Sequence, residues 1–468
     1  MDSQTIVAPM TPAGVSAVAA IRVSGSRVRE VVRLLFGEAA LKNIKPREAK
    51  LATARDYRTM VGDDCATAQV VDSLLYIFFE GPNSYTGEDV LELYPHGNPI
   101  IVRELIQVIK SVDGVRLAEP GEYTRRAFLN GRMDLVQAES VADVIHSANR
   151  DELKNAHRLL GGALSKKVKT LTEQVMDISA RLELDVDFAE EEADPDYATW
   201  GTKIEAIRES VLSILKSFKE KAAVSRLPLA VLYGAPNAGK SSLVNALLGE
   251  DRILVSDIPG TTRDFVEVRL FLDGGEIRLV DTAGIADKAA DALDALSMEK
   301  SREILAEADM KILVVDGASR HLGPGTEAGI NSGENLKPDL VVHSKSDLLG
   351  ASPSCANPNS EFRIPNSIHV SSKTGVGLDE LKRFMNASLF KKTENSEDLW
   401  ITSEREKTCL EEALAGIDRT LALIRTNPAV ELIAFEMQLV RRALQSITGE
   451  ISSEDVLQKI FAGFCIGK

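Results

Sequence analysis

Hydrophobic positions change rhythm along the chain, and the changes mark the expected domains. Over residues 1–120, short runs rich in Val, Ile and Phe, such as VSAVAAIRVSG and VDSLLYIFFEGPNS, are stopped by Gly, Pro, Asn and Ser. That pattern predicts strands ended by turns. NPIIVRELIQVIKSVDG carries apolar residues at helical spacing and predicts a helix ending at Gly114. An α+β domain is expected here. From about residue 135 the period lengthens. Leu160, Leu164, Val168, Leu171, Val175, Ile178 and Leu182 follow at steps of four and three, an amphipathic stripe expected on a bundle seam. DVDFAEEEADPD interrupts it as an acidic, solvated loop, and TKIEAIRESVLSILKSFKEKA then resumes helical spacing. Leu410, Leu414, Ile417, Leu421 and Ile424 repeat that spacing far downstream. The helical blocks, 121–225 and 391–468, flank a segment of different texture, 226–390. Such an order permits one bundle with the central segment inserted.

At 468 residues the chain exceeds a single hydrophobic core, and roughly two to four domains are expected. Its 44% hydrophobic and 27% charged residues are those of an ordinary globular protein. MDSQTIVAPMTPAG has neither the basic nor the apolar region of a secretory signal, and no apolar run is long enough to span a bilayer. Cys65, Cys355, Cys409 and Cys465 lie far apart without a CxxC, which argues against a disulfide framework or zinc site and for a reducing, cytoplasmic setting. A formal charge of −15 repels phosphate backbones, so a nucleic-acid substrate would need a basic patch or a partner to offset it.

LPLAVLYGAPNAGKSSLVNALLG is the strongest signal. An apolar strand runs into Gly234, Ala235, Pro236, Asn237, Ala238, Gly239, Lys240, Ser241 and Ser242, and a helix follows with Gly249 placed to stop it. This fits a phosphate loop, in which backbone N–H groups and the helix dipole face anionic oxygens. Lys240 is expected to reach the β and γ phosphates and Ser241 to ligate Mg²⁺. IPGTTRD supplies Thr262, a hydroxyl for Mg²⁺ when the γ phosphate is present. FVEVRLFLDGGEIRLVDTAG reads as a hairpin through Asp273 and Gly274 that delivers Asp281, Thr282, Ala283 and Gly284. Asp281 is expected to hold the Mg²⁺ shell, and the Gly284 N–H to sense the γ phosphate. After the buried strand MKILVVDG, Ser344, Lys345, Ser346 and Asp347 stand where GTPases carry Asn-Lys-x-Asp. Asp347 can accept from guanine N1–H and the 2-amino group. Ser344 departs from the usual Asn, which bears on base contacts, while Asp347 preserves the main selectivity. VSSKTGVG fits the last guanine loop through Ser371, Ser372 and Lys373. A GTP-binding domain is expected. Ile285 stands where signalling GTPases place a water-orienting Gln, so water positioning and the positive charge of an arginine finger must come from elsewhere. Asn237, a short carbonyl donor beside the phosphates, could ligate a monovalent cation.

GAPNAGKSSLVNALLG, DIPGTTRD, DTAG, the flanking helices and the terminal FCIGK together resemble the tRNA modification GTPase family MnmE/TrmE. SQTIVAP, GPNSYTGEDVLEL and EPGEYTRRAFLNGRMDLVQAE resemble it too, so the likeness spans nearly the whole chain, whereas ribosome-assembly GTPases share only the central motifs. The resemblance implies an N-terminal tetrahydrofolate-binding and dimerisation domain, a discontinuous helical domain and an inserted Ras-like G domain. It implies a homodimer that works with an FAD-dependent partner, MnmG (GidA), as a heterotetramer. Together they would install an aminomethyl or carboxymethylaminomethyl group on C5 of the wobble uridine of certain tRNAs. The carbon would come from 5,10-methylene- or 5-formyl-tetrahydrofolate, and reducing equivalents from the partner's FAD and NADH. GTP hydrolysis would depend on K⁺, held by Asn237 with Ser256, Ile258 and Thr261, in place of an arginine finger; Ser256 stands where the family often has Thr. Asp294 aligns with the family's water-orienting Glu through a slightly different spacing. Arg22, Glu92, Arg132 and Lys468 match the folate positions. Arg22 and Arg132 suit glutamyl carboxylates or a formyl oxygen, and Glu92 suits pterin N–H groups.

The ending CIGK superficially fits a prenylation box, but Lys468 is an unsuitable last residue and no polybasic stretch precedes it. The resemblance instead puts Cys465 beside the one-carbon site, as nucleophile, acid or mere neighbour. The basic tract SKKVKT is small, so the flavoprotein is expected to supply most of the tRNA-binding surface. The alternative from a different class is a ribosome-assembly GTPase switch without modification chemistry; a folate-dependent aminomethyltransferase and a membrane-anchored signalling GTPase fit less of the chain.

Overall fold

The computed structural model describes residues 4–59, 68–187, 197–235, 237–249, 266–281, 303–317, 337–348, 366–390, 399–426 and 430–468. The chain divides into two compact units: residues 1–145, 155–219 and 399–468, and residues 146–154 and 220–398.

The first unit opens with strands β1 (Thr5–Pro9), β2 (Ser16–Val18), β3 (Ile21–Ser24), β4 (Ala49–Asp56), β5 (Gln69–Phe79), β6 (Val90–Tyr94), β7 (His96–Gly97) and β8 (Val115–Leu117). Six of them form a sheet in the order β4-β5-β6-β3-β1-β8. Only the β1–β8 pairing in it is parallel among the described residues. Alternation sets the faces. Leu74, Tyr76 and Phe78 of β5 point inward and pack with Val7, Ile21, Val23 and Leu93 under the helices Val28–Phe36 and Pro99–Lys110. Asn98 caps the second helix by accepting from Ile100 N at 2.8 Å, with Pro99 in its first turn.

Two expectations need correcting here. VSAVAAIRVSG is not one strand but two, β2 and β3. The run breaks at Ala19 and Ala20, whose backbone groups bond Pro95 O and Met10 N, and β2 pairs instead with β7. The helix expected to reach Gly114 ends at Lys110, because Val115 must enter β8 beside β1.

Four long helices, Ala163–Asp187, Tyr197–Lys216, Glu404–Ile424 and Val430–Thr448, pack as a bundle in the same unit. The stripe from Leu164 to Leu182 is buried in it with Ile204, Val211, Leu410, Ile417, Met437 and Leu444. Gly416 lets the last two helices approach closely, since a Cβ there would meet Val440 Cγ2 at 2.7 Å. Leu160 belongs to the preceding helix, Arg150–Leu160, because Gly161 and Gly162 interrupt the run with Gly162 at φ +79°. The bundle helix continues to Asp187, into the stretch expected as an acidic loop; residues 188–196 lie outside the described set.

The second unit holds β9 (Leu229–Tyr233), β10 (Val266–Leu272), β11 (Gly275–Asp281), β12 (Met310–Asp316), β13 (Leu340–Ser344) and β14 (Ser367–His369) in the sheet order β10-β11-β9-β12-β13-β14. All but β10 run parallel. Apolar residues cover both faces, as a parallel sheet requires, with the helices Lys240–Gly249 and Leu378–Leu389 over one of them. Residues 148–150, within a span that reads as helical, lie along the β10–β11 turn instead. Asn149 bridges Gly275, Arg150 N donates to Gly274 O at 2.9 Å, and Glu276 N donates to Ala148 O at 3.0 Å.

Glu406 is the most deeply buried acid among the described residues of the bundle, beside the ion pair of Arg405 and Glu139 (2.9 Å). Burial, and then the charge of Glu139, raise its carboxyl well above the ordinary 4.5, with Arg405 opposing. The folded state therefore holds a proton that the unfolded chain releases, and this contribution to stability fades as pH rises from the unfolded value through the folded one. Glu406→Gln keeps the group neutral. Thermal unfolding at about pH 8 should show a midpoint raised by a few degrees, with little change near pH 4; equal effects at both pH values would contradict a protonated Glu406.

Candidate functional site

All five residues of β9 are buried, and the strand stops against its neighbour. A Cβ at Gly234 would sit 2.3 Å from Val314 O on β12, so only glycine passes. The chain then turns through Asn237, exposed and left-handed at φ +59°, and Gly239 at φ +89°, into the helix that Lys240 begins. Lys240 is 4% exposed, and its Nζ donates back to Gly234 O (2.8 Å) and Ala235 O (2.9 Å). An ammonium held by loop carbonyls at the head of a helix lies where phosphate oxygens would compete for it. Ser241 Oγ donates to Asp281 Oδ2 at 2.7 Å. Asp281, 2% exposed, ends β11. This hydroxyl and carboxylate form an oxygen pair of the hard kind that Mg²⁺ takes beside phosphates. Ser242 is exposed on the same turn.

The loops after β13 and β14 close the opposite side. Ser344, 2% exposed, donates to Ala238 O at 2.6 Å, with Val315 O flanking it at 3.2 Å. Lys345 adopts φ +55° and pairs its Nζ with Asp316 Oδ2 at 2.7 Å. Asp347 Oδ1 accepts from Ser371 Oγ at 2.8 Å, and Ser371 is fully buried. Ser371 thus orients the carboxylate expected to read the base, whereas Ser372 beside it is half-buried. The motif VSSKTGVG located this loop, but nothing in it distinguishes the two hydroxyls. Ser256, Ile258, Thr261, Thr262, Thr282, Ala283, Gly284, Ile285 and Asp294 lie outside the described residues.

In the first unit, Arg22 of β3 and Glu92 of β6 are register partners. Arg22 Nε and Nη2 donate to Glu92 Oε1 at 3.0 and 2.8 Å, and Tyr94 OH donates to Glu92 Oε2. Burial, helped by that hydrogen bond, pushes the Tyr94 phenol up to about 12. Arg22 lies 4.8 Å from the Tyr85 ring centroid and 5.7 Å from that of Tyr123, whose OH donates to Arg22 O at 2.6 Å. Arg22 Nη1 is buried without an acceptor.

The terminal tail returns to this place. Gly467, at φ +99°, passes so close to β1 that a Cβ would meet Pro9 O at 2.4 Å. Lys468 is thereby brought near Arg22 and Glu92. Burial, and then the charge of Arg22, lower its amine below the ordinary range, with Glu92 opposing. Arg22, Glu92 and Lys468 therefore share one site with an orphaned guanidinium donor, which fits a hydrogen-bond-accepting ligand such as a folate. Cys465, an exposed free thiol, lies on the same tail. Arg132 is exposed, with its stem against the Gly87 backbone.

What the sequence left unseen is the polar framework beneath. Ser24 Oγ donates to Glu88 (2.6 Å), Arg126 joins Glu88 (3.1 Å) to Glu122 (2.8 Å), and Arg116 reaches Glu122 at 2.7 Å. Burial works to raise the Glu122 carboxyl, but hydrogen bonds from Arg116, the Glu119 N–H and Arg126 hold it below the ordinary range. This network joins GPNSYTGED to EPGEYTRRAF, two of the motifs quoted above.

Two family models match the chain. The one described as GTP-binding protein TrmE N-terminus covers residues 5–132, and the one described as MnmE helical domain covers residues 135–465. Among solved structures, the G domain of the T. maritima FeoB iron transporter is 24% identical, over 35% of this chain and 99% of that one, with a TM-score of 0.27. The cytosolic domain of that transporter in a GDP form is 20% identical, over 50% and 97%, with a TM-score of 0.27. Translation elongation factor SelB from Methanococcus maripaludis, with the GTP analogue GppNHp, is 21% identical, over 36% and 34%, with a TM-score of 0.25. Those scores are low, and the assignment rests on the family models, of which the helical-domain one alone spans more than half the sequence. The chain belongs to the MnmE/TrmE family of GTP-binding proteins.

Proposed function

We propose that the protein is a potassium-dependent GTPase of tRNA modification. With an FAD-dependent partner of the MnmG/GidA type, and as a homodimer in a heterotetramer, it would add an aminomethyl or carboxymethylaminomethyl group to C5 of the wobble uridine of certain tRNAs. The observation that carries this reading is the seating of Lys468 beside Arg22 and Glu92 in a chain that also holds a phosphate loop. An assembly switch needs the second feature and has no use for the first.

Each residue has a role in this reading. Lys240 would exchange loop carbonyls for the β and γ phosphates, and Ser241 and Thr262, with Asp281 holding the shell, would hold Mg²⁺, which would supply positive charge to the phosphates. Asn237 supports K⁺ with Ser256, Ile258 and Thr261, and Asp294 orients water. Asp347, steadied by Ser371, accepts from guanine. Tetrahydrofolate, when bound, supplies the one-carbon unit; Arg22 and Lys468 attract its carboxylates, Glu92 accepts from its pterin, and Arg132 meets it from the Gly87 loop. Cys465 stands beside that unit. NADH and FAD act through the partner.

Nucleoside mass spectrometry of tRNA from cells lacking the protein should show loss of C5-aminomethyl-type wobble uridines. The wild-type chain should restore them, and Lys240→Ala, which loses the charge expected on the β and γ phosphates, should not. Unchanged nucleosides would leave the ribosome-assembly switch as the better reading. Cys465→Ser should hydrolyse GTP at the wild-type rate yet restore no modification; full restoration would remove Cys465 from the chemistry. Binding of 5-formyl-tetrahydrofolate should weaken as pH rises through a point below the ordinary lysine value of 10.5, because the amine loses its charge early. Lys468→Ala should bind more weakly at neutral pH and lack that alkaline limb, as isothermal titration across the range would reveal.

A further inference from the structure

Ser344 stands where an asparagine is usual, and its surroundings show what the exchange does. A hydroxyl has one proton to donate. That proton faces Ala238 O at 2.6 Å in the phosphate loop, with Val315 O at 3.2 Å on its flank. Both Ser344 and Ala238 are buried, so turning the proton elsewhere would orphan a buried carbonyl. The two remaining lone pairs of the hydroxyl are acceptors, and guanine N7 and O6 are acceptors as well, so they have nothing to exchange. An asparagine amide has two N–H donors and can serve a loop carbonyl and the base together.

We propose that Ser344 is a strut between the base loop and the phosphate loop that does not read guanine. Of the two side chains, Asp347 is left to read the base, on its Watson–Crick edge. Its carboxylate is held by the buried Ser371 hydroxyl at 2.8 Å and keeps its other lone pairs for N1–H and the 2-amino group. The loop itself is fastened to the residue that follows β14, with Ser346 N on Val370 O at 3.2 Å and Val370 N on His343 O at 2.8 Å. Base selectivity then has a particular shape. The site distinguishes guanine from hypoxanthine, which lacks the 2-amino group, and is indifferent to the N7 position. This rests on the guanine-nucleotide reading of the site given above.

The test uses the full-length chain and a fluorescent probe, mant-GDP, displaced by GDP, by 7-deaza-GDP and by IDP. Wild type should bind GDP and 7-deaza-GDP within about twofold and IDP about tenfold or more weakly, the worth of one hydrogen bond to a charged group. Ser344→Asn should acquire a preference of about threefold to tenfold for GDP over 7-deaza-GDP. A wild-type chain that weakens several-fold on losing N7 overturns the assignment, as does a folded Ser344→Asn chain that gains no preference. Should that variant not fold, the wild-type comparison decides alone. Absence of mant-GDP binding, or binding that Lys240→Ala leaves intact, overturns the guanine-nucleotide reading and this assignment together. Normal GDP binding with strong N7 discrimination overturns only the assignment.

Discussion

Parallel pairing is the constraint on which the second unit depends. β11, β9, β12, β13 and β14 run in one direction, so their carboxyl ends emerge along one edge of the sheet. The phosphate loop follows β9, Asp281 ends β11, Asp316 ends β12, Ser344 ends β13 and Ser371 follows β14. Side chains then join the ends: Ser241 to Asp281, Ser344 to Ala238, Lys345 to Asp316 and Asp347 to Ser371. Each bond ties a loop to a rigid strand end, so residues scattered over more than a hundred positions are held in one row.

The first unit reaches its site by other means. Arg22 and Glu92 are opposed by antiparallel register, and the third charge arrives from the far end of the chain over a glycine that admits no side chain. The loops around them are fixed by buried ion pairs through Arg126. Such pairs recover little net stability, because removing charge from water costs about as much as the pairing returns. Here they hold two loops in one geometry, and the residue types are accordingly polar where a simple core would be apolar.

Features whose signal is local were legible in the sequence. The phosphate loop, the turn at Asp273 and Gly274, and the bundle stripe from Leu164 to Leu182 depend on spacing within a few turns or strands, and each lies where the pattern placed it. Features made by distant partners were not. The helix Glu122–Leu129 buries Glu122, Thr124 and Arg126, which reads as a polar surface until Glu88 and Arg116 are known to face it. The division of VSAVAAIRVSG depends on Pro95 and β7. For the candidate sites, resemblance singled out Arg22, Glu92 and Lys468, but only the fold brings in Tyr94, Tyr123 and the orphaned Arg22 donor.

The turn between β10 and β11 has a consequence for how an inserted domain is bounded. Gly274 and Gly275 are gripped from two stretches of chain: Ala148 to Arg150, and the end of the helix Leu378–Leu389, where Asn386 accepts from Gly274 N and the Phe390 ring would stand 2.5 Å from a Cβ at Gly274. Asn149 in turn holds Val224 O at 3.1 Å. A fragment cut where the sequence texture changes, near residue 226, would keep every residue of the candidate nucleotide site and still lose part of the packing that closes this hairpin. The insertion is thus discrete in sequence but not in energy: its outermost stitches belong to segments that composition alone assigns to its host.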